Sequence, residues 1–259
     1  MADMSDLVAL TVEQDVARIT LNRPDRHNSL TPDLLIALTQ RLGEIRDKPL
    51  TAVVLSGAGK SFSSGGDVAA FAAVASDALA DYASHVVSLL NDAILKILAL
   101  PFPVVAKLHG FVTGGSAGLV FASDIVIMAD DAHIAPYHSV VGFAPDGGWT
   151  ALLPSRIGEA RAFAIQCLNT SILAGEALQF GLATQVASAE RLDEEINRSI
   201  AQLREKSSSS IARAKRIIWT DERLAQVALD LDAERIAFVE QISKTEVRDR
   251  MAAFLGRRP

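Results

Sequence analysis

One cysteine, Cys167, stands among the 259 residues, so no intrachain disulfide framework is possible and a reducing compartment fits. It lies in the apolar run Ala162 to Leu168, which predicts a buried, inert thiol. Basic residues are in the minority: 25 Lys and Arg against 31 Asp and Glu leave a net charge of −6, which argues against a nucleic-acid groove. The charged run 248–258 is mixed in sign and reads as a solvated helix end. No long apolar run survives uninterrupted. The most apolar region, 103–129, is broken by Lys107, His109, Asp124 and four glycines, which excludes a membrane-spanning helix there. The N-terminus is acidic and lacks a signal-peptide layout, so the expected location is the cytoplasm, with no membrane partner.

Other absences narrow the chemistry. No His/Cys/Glu cluster has metal-ligand spacing, so no metal is expected. No G-x-G-x-x-G fingerprint opens the chain, and neither a solenoid period nor a low-complexity tract occurs. Gly114-Gly115-Ser116-Ala117-Gly118 satisfies G-x-S-x-G, but a nucleophile elbow requires serine, then acid, then a late histidine. His138 follows Ser116 by only 22 residues and is the last histidine, so the serine-hydrolase reading is set aside.

Two glycine-rich loops are the richest feature present: Ser61-Phe62-Ser63-Ser64-Gly65-Gly66-Asp67, and the stretch from His109 to Gly118. Each follows a short β-branched run and leads into a helix-like stretch. Loops of this kind aim backbone N–H groups outward, where a pair can hold a developing oxyanion. Two of them, about fifty residues apart, suggest one site built from two strand-to-helix turns.

The surrounding pattern agrees. Val8 to Val12 and Val16 to Leu21 read as paired strands across a polar turn. Thr31-Pro32 opens a helix with Leu34, Leu35, Leu38 and Leu42 on its apolar face. Ala52 to Leu55 is a buried strand, and 68–100 is helical with breaks, ending before Pro101 and Pro103. Val104 to Ala106, a helix from Ser116 to Ala122 and a strand from Ile125 to Met128 repeat the unit. Parallel β-α-β layers follow, with ligand at the carboxyl ends of the strands. From Ala189 onward only helices are predicted, jointed at Ser207 to Ser210, and Leu224, Val227, Leu231 and Val239 form an apolar stripe, with Ile236 and Ile242 beside them. A chain 49% hydrophobic and 22% charged suffices for one large domain, or a domain plus an appendage.

These residues resemble the crotonase superfamily, the enoyl-CoA hydratase/isomerase family, over nearly the whole chain. The resemblance rests on five ordered stretches: Ala17 to Pro24 with Asn28-Ser29-Leu30, Phe62 to Asp67, His109 to Asp124, Ala174 to Ala177 with Gly181-Leu182-Ala183, and Met251 to Leu255. It implies an α/β fold with a ββα spiral core carrying the acyl-CoA site over residues 1–200. It further implies a helical region, 201–259, that forms a homotrimer or a dimer of trimers. Coenzyme A enters as part of the substrate, with no separate cofactor. The backbone N–H groups of Gly66 and Gly115, flanked by Ser64 and Gly114, would hold the thioester oxygen, each donor stabilising an enolate by about 3 to 4 kcal/mol.

The chain departs from the family where hydratases carry two glutamates. The first aligns with Gly118 and the second with His138 or close to it, so ordinary water addition lacks its acid and base. A carboxylate appears eight residues later in Phe143-Ala144-Pro145-Asp146-Gly147-Gly148-Trp149, a segment like those of isomerases in phenylacetyl-CoA breakdown. Asp146 is the expected acid/base, although an aspartate before Gly-Gly also suits a turn or helix cap. His138 either lines the acyl pocket, or orients Asp146 or donates a proton. Asp67 is expected to cap the helix after the first loop and to take part in substrate binding with Ser64 and Gly114, and His109 to be a hydrogen-bonded structural histidine. Phe71, Tyr82, Phe143 and Trp149 are candidates for the acyl-pocket wall. Arg26 and Arg257 or Arg258 are candidates for the coenzyme A phosphates. The resulting expectation is an acyl-CoA isomerase working through a thioester enolate. The alternatives are a hydratase with non-standard acid/base residues, or a family member that binds acyl-CoA without chemistry.

Overall fold

The computed structural model describes residues 4–256. Its strands are β1 (Val8–Glu13), β2 (Val16–Leu21), β3 (Ala52–Gly57), β4 (Val104–Leu108), β5 (Phe111–Thr113), β6 (Ile125–Ala129), β7 (His133–Ala135), β8 (Ile172–Leu173) and β9 (Gln185–Ala187). The helices before the last strand are α1 (Met4–Leu7), α2 (Pro32–Ile45), α3 (Val68–Ala73), α4 (Leu79–Ala99), α5 (Ala117–Phe121), α6 (His138–Val141), α7 (Leu153–Ile157), α8 (Glu159–Leu168) and α9 (Ala174–Gln179). After it come α10 (Leu192–Arg204), α11 (Ser208–Ile218), α12 (Asp221–Ile242) and α13 (Thr245–Gly256).

The strands form a six-stranded sheet in the order β1-β2-β3-β4-β6-β9 and a three-stranded one in the order β5-β7-β8. Only the β1–β2 hairpin is antiparallel in the large sheet; β2 onward run parallel, with Val53 opposite Val104 and Val105 opposite Ile125. Parallel strands must be covered on both faces, and Val53, Val54, Val105, Val126 and Ile127 are buried accordingly. The short strands β5, β7 and β8 escape pattern reading because two or three residues carry no periodicity. They matter all the same. A bridge between Ser63 and Val112 joins the first glycine loop to β5, bringing the two loops side by side.

The Thr31 hydroxyl caps α2 by accepting from Leu34 N, and Leu34, Leu35, Leu38 and Leu42 are buried beneath it. The helix α4 packs between α2 and α12. On α12 the buried residues are Val227, Leu231, Glu234, Phe238 and Ile242, so Val227, Leu231 and Ile242 of the expected stripe face the core, Leu224 and Val239 are partly buried against it, and Ile236 is 47% exposed. The Ser207–Ser210 joint is the cap and first turn of α11, Ser207 Oγ accepting from Ser210 N.

One expectation fails on α8. Cys167 is exposed. In a surface helix each residue advances by 100°, so Ala162 and Ile165 face the core while Phe163, Cys167 and Leu168 turn outward. Among the described residues no helix is long and apolar enough to cross a membrane.

Candidate active site

Asn28 organises the first glycine loop. Buried and at φ +52°, it donates from Nδ2 to the carbonyls of Ala58, Ser61 and Phe62 at 2.9, 3.0 and 3.1 Å, while its Oδ1 accepts from Arg23 N. Ser63 Oγ donates to Asn28 O at 2.8 Å and accepts from Gly65 N. Glycine is required at 65: the backbone has φ +76°, and a Cβ there would fall 2.4 Å from Thr113 O. The two loops therefore touch backbone to backbone. Neither Gly66 N–H nor Gly115 N–H donates a hydrogen bond among the described residues. Gly115 sits in the first turn leading into α5, where an N–H has no partner within the helix.

Gly66, Gly114 and Gly115 line a cavity of about 300 Å³, together with Ser64, Leu30, Val68, Phe71, Val86, Leu90, Phe143, His138 and Asp146. Asp146 and His138 are both buried, and their side chains meet, His138 Nε2 to Asp146 Oδ1, at 2.7 Å. Among the described residues His138 Nδ1 has no hydrogen-bond partner. The contact engages Asp146 Oδ1 alone. That leaves Asp146 Oδ2 free. A Cβ built on Gly115 would lie 2.7 Å from Oδ2 and 2.9 Å from Oδ1, which puts the carboxylate directly against the second loop.

Gly118, the position expected to correspond to a hydratase glutamate, has no room for a side chain. A Cβ on Gly118 would fall 2.2 Å from Gly147 O and 2.5 Å from Ile94 Cδ1. Among the described residues that line the cavity, Asp146 is the one carboxylate. Ser116, centre of the G-x-S-x-G match, is fully buried, and its hydroxyl donates to Thr113 O at 2.8 Å.

Four candidates, Trp149, Asp67, Arg26 and Tyr82, lie outside the cavity lining. Trp149 is fully buried beneath the second loop and does not line the wall; its indole N–H donates to Gly114 O at 2.8 Å. Asp67 caps α3 through Ala70 N and pairs with Arg23 Nη1 at 2.8 Å, so its carboxylate is fully engaged and does not line the cavity. Burial alone would raise the Asp67 carboxyl, but the Arg23 guanidinium and the Ala70 N–H outweigh it and hold it below its usual value. Arg26 is exposed and outside the lining, and Arg258 lies outside the described residues. Tyr82 backs the wall, edge-on to Phe71 at 5.3 Å. His109 Nε2 lies 3.0 Å from Gly59 O.

Sequence reasoning missed Phe111, His133, Tyr137, Phe238 and Phe254, all of which line the cavity. Phe238 and Phe254 come from α12 and α13, so the cavity is not confined to residues 1–200. Glu234 was missed too. It is buried on α12 and accepts from Gly148 N at 2.7 Å, Thr150 N and Oγ1 at 2.6 Å each, and Ala151 N at 3.0 Å. Burial pushes its carboxyl above the usual range, against the pull of those four donors. The signal was available: an acid inside an otherwise apolar helical stripe.

The chain matches the family model described as Enoyl-CoA hydratase/isomerase over residues 11–259. It is 29% identical over 259 residues to 1,2-epoxyphenylacetyl-CoA isomerase of Escherichia coli K12, covering 98% of this chain and 97% of that one. A Mycobacterium bovis protein named "Probable enoyl-CoA hydratase" is 32% identical over 225 residues, covering 85% and 79%. The crystal structure of an enoyl-CoA hydratase from Mycobacterium avium subsp. paratuberculosis superposes with a TM-score of 0.86 at 27% identity, covering 97% of this chain and 96% of that one. A spiral α/β core with two adjoining glycine loops and a match of this extent have one meaning: the chain belongs to the enoyl-CoA hydratase/isomerase family of the crotonase superfamily. Both isomerases and hydratases occur among its relatives.

Proposed function

We propose that this protein is an acyl-CoA isomerase that moves a double bond, or rearranges an unsaturated acyl-CoA, through a thioester enolate. The observation that carries the reading is a single carboxylate, Asp146, set against Gly115 in a cavity with no second acid among its described lining residues. The thioester oxygen sits between the N–H groups of Gly66 and Gly115, which no other group occupies. With a 3-enoyl-CoA, Asp146 Oδ2 takes a proton from the α-carbon, which lies between the C=C and the thioester carbonyl, and the electron pair moves onto the thioester oxygen. The same oxygen atom of Asp146 then returns the proton to the carbon two positions away. One base suffices because the proton is conserved, whereas adding water requires one group to deprotonate water and a source of a proton for the α-carbon.

His138 steers Asp146 by occupying Oδ1, leaving Oδ2 for the substrate. The same contact supports a second reading, a hydratase in which His138 is the partner of Asp146. Incubation with 3-hexenoyl-CoA distinguishes them. An isomerase forms 2-hexenoyl-CoA; a hydratase converts 2-hexenoyl-CoA to the 3-hydroxy product. Asp146→Asn keeps an acceptor for His138 and abolishes isomerisation, a loss of about 100-fold to 10,000-fold, without changing acyl-CoA affinity. Retained turnover in that variant would refute the assigned role.

A further inference from the structure

The Gly114–Gly115 peptide has no side chain on either side to stop it from turning over, and its orientation decides what the cavity meets. In a trans peptide the C=O and N–H point in opposite directions. With the Gly114 carbonyl turned into the protein, the Gly115 N–H is turned toward the cavity; reversed, the peptide would present an acceptor to a developing negative charge. Two donors hold the carbonyl inward. Ala117 N–H reaches it from within the helical turn, and the Trp149 indole N–H reaches it from outside, at 2.8 Å.

The indole cannot shift easily. It is fully buried, packs edge-on against Phe121 at 5.3 Å, and lies edge-on to His138 at 6.0 Å. Its backbone is bracketed by the four hydrogen bonds that Glu234 accepts from Gly148, Thr150 and Ala151. The segment thus runs from Asp146, through two glycines at φ +66° and +84°, into a stretch clamped by one buried carboxylate from α12. A reversed Gly114–Gly115 peptide would also leave the buried indole N–H facing another N–H.

We propose that Trp149, clamped in place by Glu234, is a positioning residue that fixes the Gly115 N–H as an oxyanion donor. This rests on the reading of the cavity as an enolate-stabilising site. It gives α12 a part in catalysis: its docking onto the 148–151 segment sets both the peptide that presents Gly115 N–H and the stretch that carries Asp146.

Trp149→Phe deletes the N–H and keeps most of the ring volume, while Glu234→Gln cannot accept all four bonds. Two readouts separate positioning from packing. The first is the infrared carbonyl stretch of bound hexanoyl-CoA labelled with ¹³C at the thioester carbon. This saturated probe has no double bond to move, so the measurement does not depend on turnover. Wild type lowers the stretch on binding, and each variant forfeits about half of that lowering, as befits the loss of one donor of two. The second is turnover of 3-hexenoyl-CoA: kcat falls about tenfold to a hundredfold with KM nearly unchanged, and the double variant is no worse than the poorer single one. Glu195→Gln removes an equally buried carboxylate from an ion-pair cluster on α10, and it lowers Tm without moving the carbonyl stretch or kcat.

A Trp149→Phe protein with a lowered Tm but an unshifted carbonyl stretch would overturn the inference, leaving Trp149 as packing alone. If wild type binds the probe with no lowering of the stretch, both the inference and the oxyanion reading fall. If wild type lowers the stretch yet leaves 3-hexenoyl-CoA unchanged, the isomerase reading falls and the inference stands on the spectrum.

Discussion

Gly118→Ala tests whether the space beside Gly118 is closed. The added methyl would sit 2.2 Å from Gly147 O, 2.5 Å from Ile94 Cδ1 and 2.8 Å from Gly147 C, so something must move by about 1 Å to restore ordinary contact. The helix α5 cannot retreat, because all five of its residues are buried. Ile94 can rotate, but the Gly147 carbonyl is backbone and yields only if its segment moves with it. The 146–148 segment therefore takes the displacement and carries Asp146 away from Gly115. Overpacking of this kind costs about 2 to 3 kcal/mol, which lowers Tm by about 5 to 10 °C for a chain of this size. A carboxylate moved by about 1 Å from its working position lowers kcat about a hundredfold. Thermal unfolding followed by circular dichroism and turnover of 3-hexenoyl-CoA measure the two effects. Gly118→Glu gains no hydration of 2-hexenoyl-CoA for the same reason. Wild-type Tm and kcat in Gly118→Ala would show that the segment yields freely and would refute the steric argument.

Three further outcomes follow from the same geometry. Ser116→Ala removes a hydroxyl that donates to Thr113 O; it costs about 1 kcal/mol in denaturant unfolding and leaves turnover near wild type, whereas abolished turnover would revive a nucleophilic serine. Asn28→Ala strips the first loop of three carbonyl bonds and places alanine at φ +52°, destabilising by about 3 to 5 kcal/mol, with a midpoint shift in urea as the check. The Arg204 hydrogen bonds, followed by that of Thr51, hold Asp15 at about 2 instead of 3.8. A depressed carboxylate stabilises the fold above its unfolded value and loses that contribution as pH falls through the folded one, so Arg204→Gln flattens the acid limb of the stability curve between 3.8 and about 2. An unchanged acid limb would show that solvent screens this exposed pair completely.

Reading the chain alone worked where the determinants are local. The β1–β2 hairpin, the Thr31 cap, the α2 stripe, the glycine loops and the C-terminal helices all follow from spacing over fewer than about fifteen residues. Asp67 as a helix cap is equally local, since its acceptor meets an N–H three residues on. It failed where a residue's role depends on what lies opposite. Trp149 looks like a pocket wall in sequence because an indole suits an acyl group, yet it faces inward to a carbonyl 35 residues away. Cys167 sits in an apolar run that the surface position of α8 leaves half outside. The α12 stripe read from its aliphatic residues passed over Phe238 and Glu234, which are buried on the same face.

The sequence by itself determined the family, the kinds and order of the main elements, and the two loops with paired glycines. It also singled out Asp146 and His138 eight residues apart. Only the tertiary structure decided that these two side chains meet at 2.7 Å, that Gly147 fills the space beside Gly118, and that α12 and α13 contribute to the cavity. The division has a physical cause. Spacing along a chain encodes backbone hydrogen bonding and the face a helix buries, which are short-range properties. Which atoms from positions 66, 115, 146, 149 and 234 converge is set by close packing of elements far apart in sequence, where a one-residue rotation of a helix exchanges a buried group for a solvated one.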